Sequence, residues 1–216
     1  MFNSVIVTHR NRPESLRVFL RSVEIASKYV NPDSYEIVLV DLGSSSAHTW
    51  FAEGYANRIN LKVHKIPYKG VFWKSKALNY AVNQSQGDYI TLVDIDAILP
   101  PLFFKGIEEF FSKPENADIK LAHRVRFLDD KTTKLVKDGN FDESFIQTKI
   151  IQMQGFFHLA RERYTEAEDA ATCEEDYQKR ALGNSHFTAK KKFWYEIGGC
   201  DERFKGRAYE DIDFNS

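Results

Sequence analysis

Leu92-Val93-Asp94-Ile95-Asp96-Ala97-Ile98-Leu99 is the stretch on which the reading of this chain turns. The apolar run Tyr89 to Val93 follows a Gly87-Asp88 break and reads as a buried strand. It delivers two carboxylates one residue apart, and Pro100-Pro101 stops any continuation. Side chains alternate along a strand, so Asp94 and Asp96 are expected on one side and Ile95 on the other. Two carboxylates at the carboxyl end of a strand suit a hard divalent cation, Mn²⁺ or Mg²⁺, of the kind that holds a diphosphate. By itself an Asp-x-Asp is more often a solvated loop, and the rest of the chain has to supply its meaning.

Working outward, strands and helices alternate. Val5-Ile6-Val7 reads as a buried strand, and Pro13 opens a helix with Leu16, Phe19, Leu20 and Val23 on one face. Tyr35 to Val40 is a second strand, ending at Asp41-Leu42-Gly43-Ser44. Helix Ala47 to Asn57, strand Leu61 to Ile66 and helix Lys74 to Gln84 follow. This spacing means βαβ units and a mainly parallel sheet flanked by helices. In such sheets ligands sit beyond the carboxyl ends of the strands, so Thr8 to Arg12, Asp41 to Ser44 and Asp94 to Asp96 are expected to share one crevice. Further on, Leu102 to Phe111 reads as helix and Ile119 to Phe127 as strand. The Lys- and Asp-rich Asp129 to Asp138 reads as an exposed hairpin or loop, and Arg161 to Arg180 as a solvated helix.

The 216 residues fit one domain, 1–216, read as two halves, 1–100 and 101–216, and long enough to bury a substantial core. With 30 Lys+Arg against 31 Asp+Glu, nothing global points to nucleic acid or an anionic membrane. Cys173 and Cys200 have no metal-type spacing and suit a reducing compartment better than a disulfide framework. No run approaches the ~20 apolar residues of a membrane helix and no signal peptide is evident, so a cytoplasmic protein without an integral membrane segment is expected, at most membrane-peripheral.

Three further constellations carry chemistry. Thr8-His9-Arg10-Asn11-Arg12 offers two arginines at a strand end, suited to clamping a diphosphate or to ordinary solvation. The absence of a glycine-rich loop there argues against dinucleotide-binding dehydrogenases, P-loop enzymes and sugar nucleotidyltransferases. In Phe72-Trp73-Lys74-Ser75-Lys76, Lys74 falls in the first turn of a helix, where anions are favoured, with the aromatic Phe72 beside it. Last, Gly198-Gly199 marks a turn, and Glu210-Asp211 begins a helix that carries a possible general base.

In this order the motifs resemble an inverting GT-A glycosyltransferase of family 2, and in detail the β-1,4-galactosyltransferase branch. That branch's Phe-Arg-Asn-Arg is similar to His9-Arg10-Asn11-Arg12, and its Phe-Asn-Arg-Ala-Lys-x-x-Asn to Phe72 through Asn79. Asp-Val-Asp-x-Ile-Pro is similar to Asp94 through Pro100, with one extra residue before the proline. Glu-Asp-Asp-Asp-Ile-Phe-Asn is similar to Glu210 through Asn215.

The resemblance implies a GT-A fold and transfer of a sugar, of galactose or N-acetylgalactosamine type, from a UDP-sugar to a glycan or lipid-linked glycan hydroxyl. It implies that Thr8, Arg10, Arg12, Asp41, Phe72, Lys74 and Asp94 bind the nucleotide sugar. Asp96, with Asp94, would hold Mn²⁺ or Mg²⁺; Asp211 would be the base, and Glu210 and Arg207 would meet the acceptor. Three departures stand out. Leu42 replaces the second acid after Asp41, and Arg207-Ala208 replaces Trp-Gly, which points to an anionic acceptor. The branch's third metal ligand, a histidine, lies beyond Asp211, so a C-terminal truncation is expected, or His186 serves instead. A non-catalytic nucleotide-sugar-binding domain or an inactive fragment is the alternative.

Overall fold

The computed structural model describes residues 1–45, 50–123, 125–128, 130–140, 156–158 and 186–205, with backbone alone for 50, 125–127 and 156–158. Strands β1 (Asn3–His9), β2 (Tyr35–Leu42), β3 (Leu61–Ile66) and β4 (Tyr89–Val93) join β6 (Leu121–Ala122) and β9 (Phe187–Lys190) in a six-stranded sheet. Its order is β3-β2-β1-β4-β9-β6. The first four strands run parallel, and β9 pairs antiparallel to both β4 and β6. The short β5 (Ala97–Ile98), β7 (Val125–Phe127) and β8 (Phe156–His158) form a second sheet, ordered β5-β8-β7. This is the expected α/β architecture of mainly parallel strands.

Both faces of the large sheet are covered, which is why its strands are continuous apolar runs rather than alternating ones. Val5, Val7, Ile37 and Leu39 pack on one face with Leu16, Phe19, Leu20 and Val23 of helix α1 (Pro13–Ala26) and Phe104 and Ile107 of α3 (Phe103–Phe111). Ile6, Val38, Val40, Ile90 and Leu92 pack on the other with Ala77, Leu78, Ala81 and Val82 of α2 (Lys74–Gln84) and Trp194 of α5 (Lys191–Glu196). Going from β1 to β2 to β3 the chain moves one way across the sheet, and β4 then pairs on the other side of β1. That reversal between β1 and β4 is a topological switch point, where open α/β sheets form their binding crevice.

Three expectations change. Of the stretch expected as a loop, Asp130–Lys137 is a helix, α4, that buries Thr133 and Val136, three residues apart, while Lys131 and Lys134 face out. The expected helix from Ala47 is a run of 3₁₀ turns at Trp50–Tyr55, with 46–49 outside the described residues. The single strand expected at Ile119 to Phe127 is two pieces, β6 and β7, in different sheets. Arg161 to Arg180 lies outside the described residues. No described helix is long and apolar enough to cross a membrane.

Candidate active site

The site assembles from loops at the carboxyl edge of the parallel strands. Strand β4 ends at Val93, so Asp94 and Asp96 are carried not by an extended strand but by a turn, closed where Ala97 N–H donates to the Asp94 carbonyl at 3.0 Å. The side-by-side placement expected from strand alternation is therefore replaced by turn geometry. Each carboxylate meets its own cation. Lys74 Nζ is 3.2 Å from Asp94 Oδ1, and Arg12 Nη1 is 3.2 Å from Asp96 Oδ2. Lys74 is the first residue of α2 and Arg12 caps α1 just ahead of Pro13, so both cations stand at helix N-termini on opposite sides of the turn. Buried Ser22 fixes the far end of the turn by accepting the Leu99 N–H at 3.1 Å.

His186, expected as a stand-in metal ligand, meets the turn here at the turn's backbone. Fully buried just before β9, its Nε2 accepts the backbone N–H of Asp94 at 3.2 Å. That lone pair is committed to the peptide and holds the start of the turn. Among the described residues no group of three His, Cys, Asp or Glu converges to hold a metal ion. Two carboxylates still fit a hard cation, because Mg²⁺ and Mn²⁺ commonly take one or two carboxylates and complete their shell with substrate phosphates and water.

Asp41 lies near the end of β2, its side chain buried. Burial pushes its carboxyl up, but hydrogen bonds from His9 and Ser44 outweigh this and hold it below the usual aspartate value. Thr8 is buried on β1 level with Val40, and it is His9 that lies level with Asp41. Arg10 donates to the Gly70 carbonyl at 2.5 Å, with its guanidinium 5.8 Å from the centre of the Tyr68 ring. Gly43, at φ +79°, lets the Tyr68 backbone pass where a Cβ would overlap its carbonyl. Tyr68 escaped the sequence reading, since it sits in an irregular loop without periodicity. Phe72 is half-buried against the α2-side core, leaving only part of its ring for a ligand.

The Gly-Gly loop and the start of α2, distant in sequence, pack together. Gly198 and Gly199 adopt φ +81° and +71°, and a Cβ on Gly199 would strike Asn79 Oδ1 and Trp194 Nε1. Asn79 then brackets Cys200, donating to its carbonyl at 2.8 Å and accepting its N–H at 2.9 Å. Trp73 Nε1 donates to the Glu202 carbonyl at 2.9 Å, and Ser75 Oγ to that of Phe204 at 3.0 Å. Residue 205 is thereby delivered beside the first turn of α2, with Lys205 Nζ 4.8 Å from the Trp73 ring centre. Arg207, Glu210 and Asp211 lie outside the described residues.

A parallel sheet with a switch point, and an acidic turn flanked by cations at its carboxyl edge, define a domain of the GT-A type. The chain belongs to glycosyl transferase family 2, whose model matches residues 4–174. Among solved structures it is similar to S. aureus TarS 1-349 in complex with UDP, with a TM-score of 0.67 at 18% identity over 100% of this chain. TarS 1-349 in complex with UDP-GlcNAc gives a TM-score of 0.57 at 18% identity, covering 85% of this chain and 65% of that one. The mannosyltransferase PcManGT from Pyrobaculum calidifontis, in complex with GDP-Man and Mn²⁺, gives 0.53 at 15% identity, over 93% of this chain and 47% of that one. At these identities the likeness speaks for the fold. The chain spans about half, 54%, of the UDP-bound TarS 1-349 structure. No protein of curated function matches it in sequence.

Proposed function

We propose that this chain carries the donor site of a metal-dependent inverting glycosyltransferase that moves a hexose from a UDP-sugar to a glycan or lipid-linked glycan hydroxyl. The observation that carries the reading is the Asp94–Asp96 turn at the switch point, each carboxylate facing a cation from a different helix start. Asp96 and Asp94 would hold Mn²⁺ or Mg²⁺, which when bound neutralises charge on the departing diphosphate. Arg12 and Lys74 lie against those carboxylates and serve the same phosphates. Thr8, Arg10, Asp41 and the exposed part of Phe72 take the nucleoside.

The acceptor side of the proposal rests on motif resemblance. Asp211 takes the proton of the attacking hydroxyl, Glu210 holds the acceptor and Arg207 meets an anionic group on it. The galactose or N-acetylgalactosamine type of donor and the β-1,4-galactosyltransferase branch rest on the same motifs. Division into a nucleotide half, 1–100, and an acceptor half, 101–216, is part of the same proposal, supported by the parallel strands β1 to β4 all falling in the first half. A reducing, cytoplasmic setting agrees with the buried free thiol of Cys200.

Titration calorimetry with UDP, with Mn²⁺ and then with chelator, tests the donor site, and a mass-spectrometric panel of UDP-hexoses tests transfer. Equal UDP affinity in both conditions would overturn metal dependence. Binding without turnover on any donor would favour a nucleotide-sugar-binding domain that is not an enzyme.

A further inference from the structure

His9 is the last residue of β1, fully buried, and no step of the proposed reaction uses it. Its Nε2 lies 3.1 Å from the backbone nitrogen of Arg12. A peptide N–H only donates, so Nε2 is the accepting nitrogen and the proton of the neutral ring sits on Nδ1. Nδ1 faces Ser44 Oγ at 3.3 Å and Asp41 Oδ1 at 3.8 Å. Ser44 in turn donates its N–H to Asp41 Oδ1 at 3.0 Å, and its Oγ accepts the Asn11 N–H at 2.8 Å. One ring therefore touches the loop that bears Arg10 and Arg12 and the loop that follows Asp41.

The corner between those loops needs such a tie. Asn11 adopts φ +52°, in the left-handed region that asparagine enters more readily than most L-residues, helped by side-chain hydrogen bonds. A conformation of that kind persists where its surroundings hold it. Here Ser44 Oγ takes the Asn11 N–H, and Asn11 Oδ1 accepts from Ser45 N–H at 3.3 Å.

We infer that His9 is a positioning residue that couples the two ends of the donor site, with Nε2 setting the diphosphate-side Arg12 and Nδ1 setting the base-side Ser44 and Asp41. The inference rests on the UDP-sugar reading above. Two shape-conserving substitutions separate the nitrogens. Asparagine carries its amide nitrogen where Nδ1 stood and reaches no further, whereas glutamine carries an oxygen toward the place of Nε2.

Affinities for UDP, UMP and CDP, measured in Mn²⁺ on the full chain, give two ratios. UDP over UMP reads the diphosphate end, and UDP over CDP reads the base end. His9→Asn is expected to lower UDP over UMP by about 3–10-fold, the scale of one lost hydrogen bond, and to keep UDP over CDP. His9→Gln is expected to do the reverse, and Ser44→Ala, which leaves the buried ring in place, to follow His9→Gln. Thermal melts identify any His9 variant that fails to fold. In that event Ser44→Ala and the tautomer of His9, read by ¹⁵N NMR on the unaltered chain, carry the decision. Ratios that move together in every variant, ratios that stay within twofold throughout, or a proton on Nε2 would each overturn the coupling. If the unaltered chain binds no UDP, the donor reading falls and this inference with it. If it binds UDP and the ratios do not separate, only the inference falls.

Discussion

The loop after β1 and the turn after β4 face each other across the switch point, one supplying cations and the other carboxylates. Each is pinned by a fully buried histidine whose Nε2 accepts a backbone N–H, from Arg12 in one case and Asp94 in the other. The pins differ in origin. His9 lies 3 residues from the amide it holds, whereas His186 lies 92 residues from its own. The turn's far end is likewise held by Ser22, 77 residues from Leu99. The cationic loop has one pin within its own sequence, His9, beside distant partners at Ser44 and Gly70. The acidic turn owes its shape to the strand and helix packed around it, and it should answer more strongly to distant changes.

The largest effect expected lies outside both regions and marks the edge of the comparison. If loop and turn handle the donor alone, Asp211→Asn should cut transfer by about 10²–10⁴-fold, the usual yield of a general base, while UDP binding stays near that of the unaltered chain. Steady-state rates beside calorimetry check this. A loss of UDP binding would show that Asp211 belongs to the donor site.

Next comes the turn itself. Asp96→Ala should abolish the metal-dependent part of UDP binding, a fall on the order of 100-fold or more, since even groups that only orient a metal ligand are worth about 10–100-fold. Calorimetry with and without Mn²⁺ reads it, with circular dichroism to show that the fold persists.

The pins give a smaller and more discriminating test. His186→Ala removes the acceptor of the Asp94 amide and should cost about 1–3 kcal/mol of stability, seen as a lower melting temperature. His186→Gln, which can still accept that N–H, should keep Mn²⁺-dependent UDP affinity within about 3-fold. A loss in His186→Gln as deep as in Asp96→Ala would make His186 a metal ligand and dissolve the parallel with His9.

Acid should separate the two regions most finely. His123 donates its backbone N–H to the His186 carbonyl at 2.9 Å, and its ring reaches Thr188 Oγ1 at 2.7 Å beneath Phe103. Burial pushes this imidazole down to about 3 from an ordinary 6.5. The fold therefore binds fewer protons than the unfolded chain across that window. The stability this confers is complete above about pH 6.5 and declines as the pH falls toward 3, by at most about 1.4 kcal/mol per pH unit. Asp41, by contrast, is held below its ordinary 3.8, so its stabilisation is present above about pH 4 and fades only below that. Melts between pH 7.5 and 5 should show a decline that His123→Gln removes. An unchanged slope in that variant would place the titrating group elsewhere.

Much of this site was legible in the chain because its parts are punctuated locally. Gly87-Asp88 before an apolar run, Pro13 at a helix start and Lys74 at the first position of α2 each state their structure within a few residues. The Asp129 to Asp138 stretch misled because charge dominates it. Its helix is decided by two buried side chains, Thr133 and Val136, whose burial depends on what packs over them. Tyr68 was hidden because it sits in an irregular loop, and the bracket of Asn79 around Cys200 because it joins residues 121 positions apart.

The sequence by itself determined the alternation of strands and helices, the parallel sheet and the sharing of one edge by Thr8 to Arg12, Asp41 to Ser44 and Asp94 to Asp96. These follow from periodicity and turn chemistry, which act over a few residues. Tertiary structure alone decided that Asp94 faces Lys74 while Asp96 faces Arg12, that β4 hands its carboxylates to a turn, and that His186 holds a peptide N–H. Those pairings join residues up to 92 positions apart. No local pattern encodes them, because only the closing of the sheet at β1, β4 and β9 brings the partners within a hydrogen bond's reach.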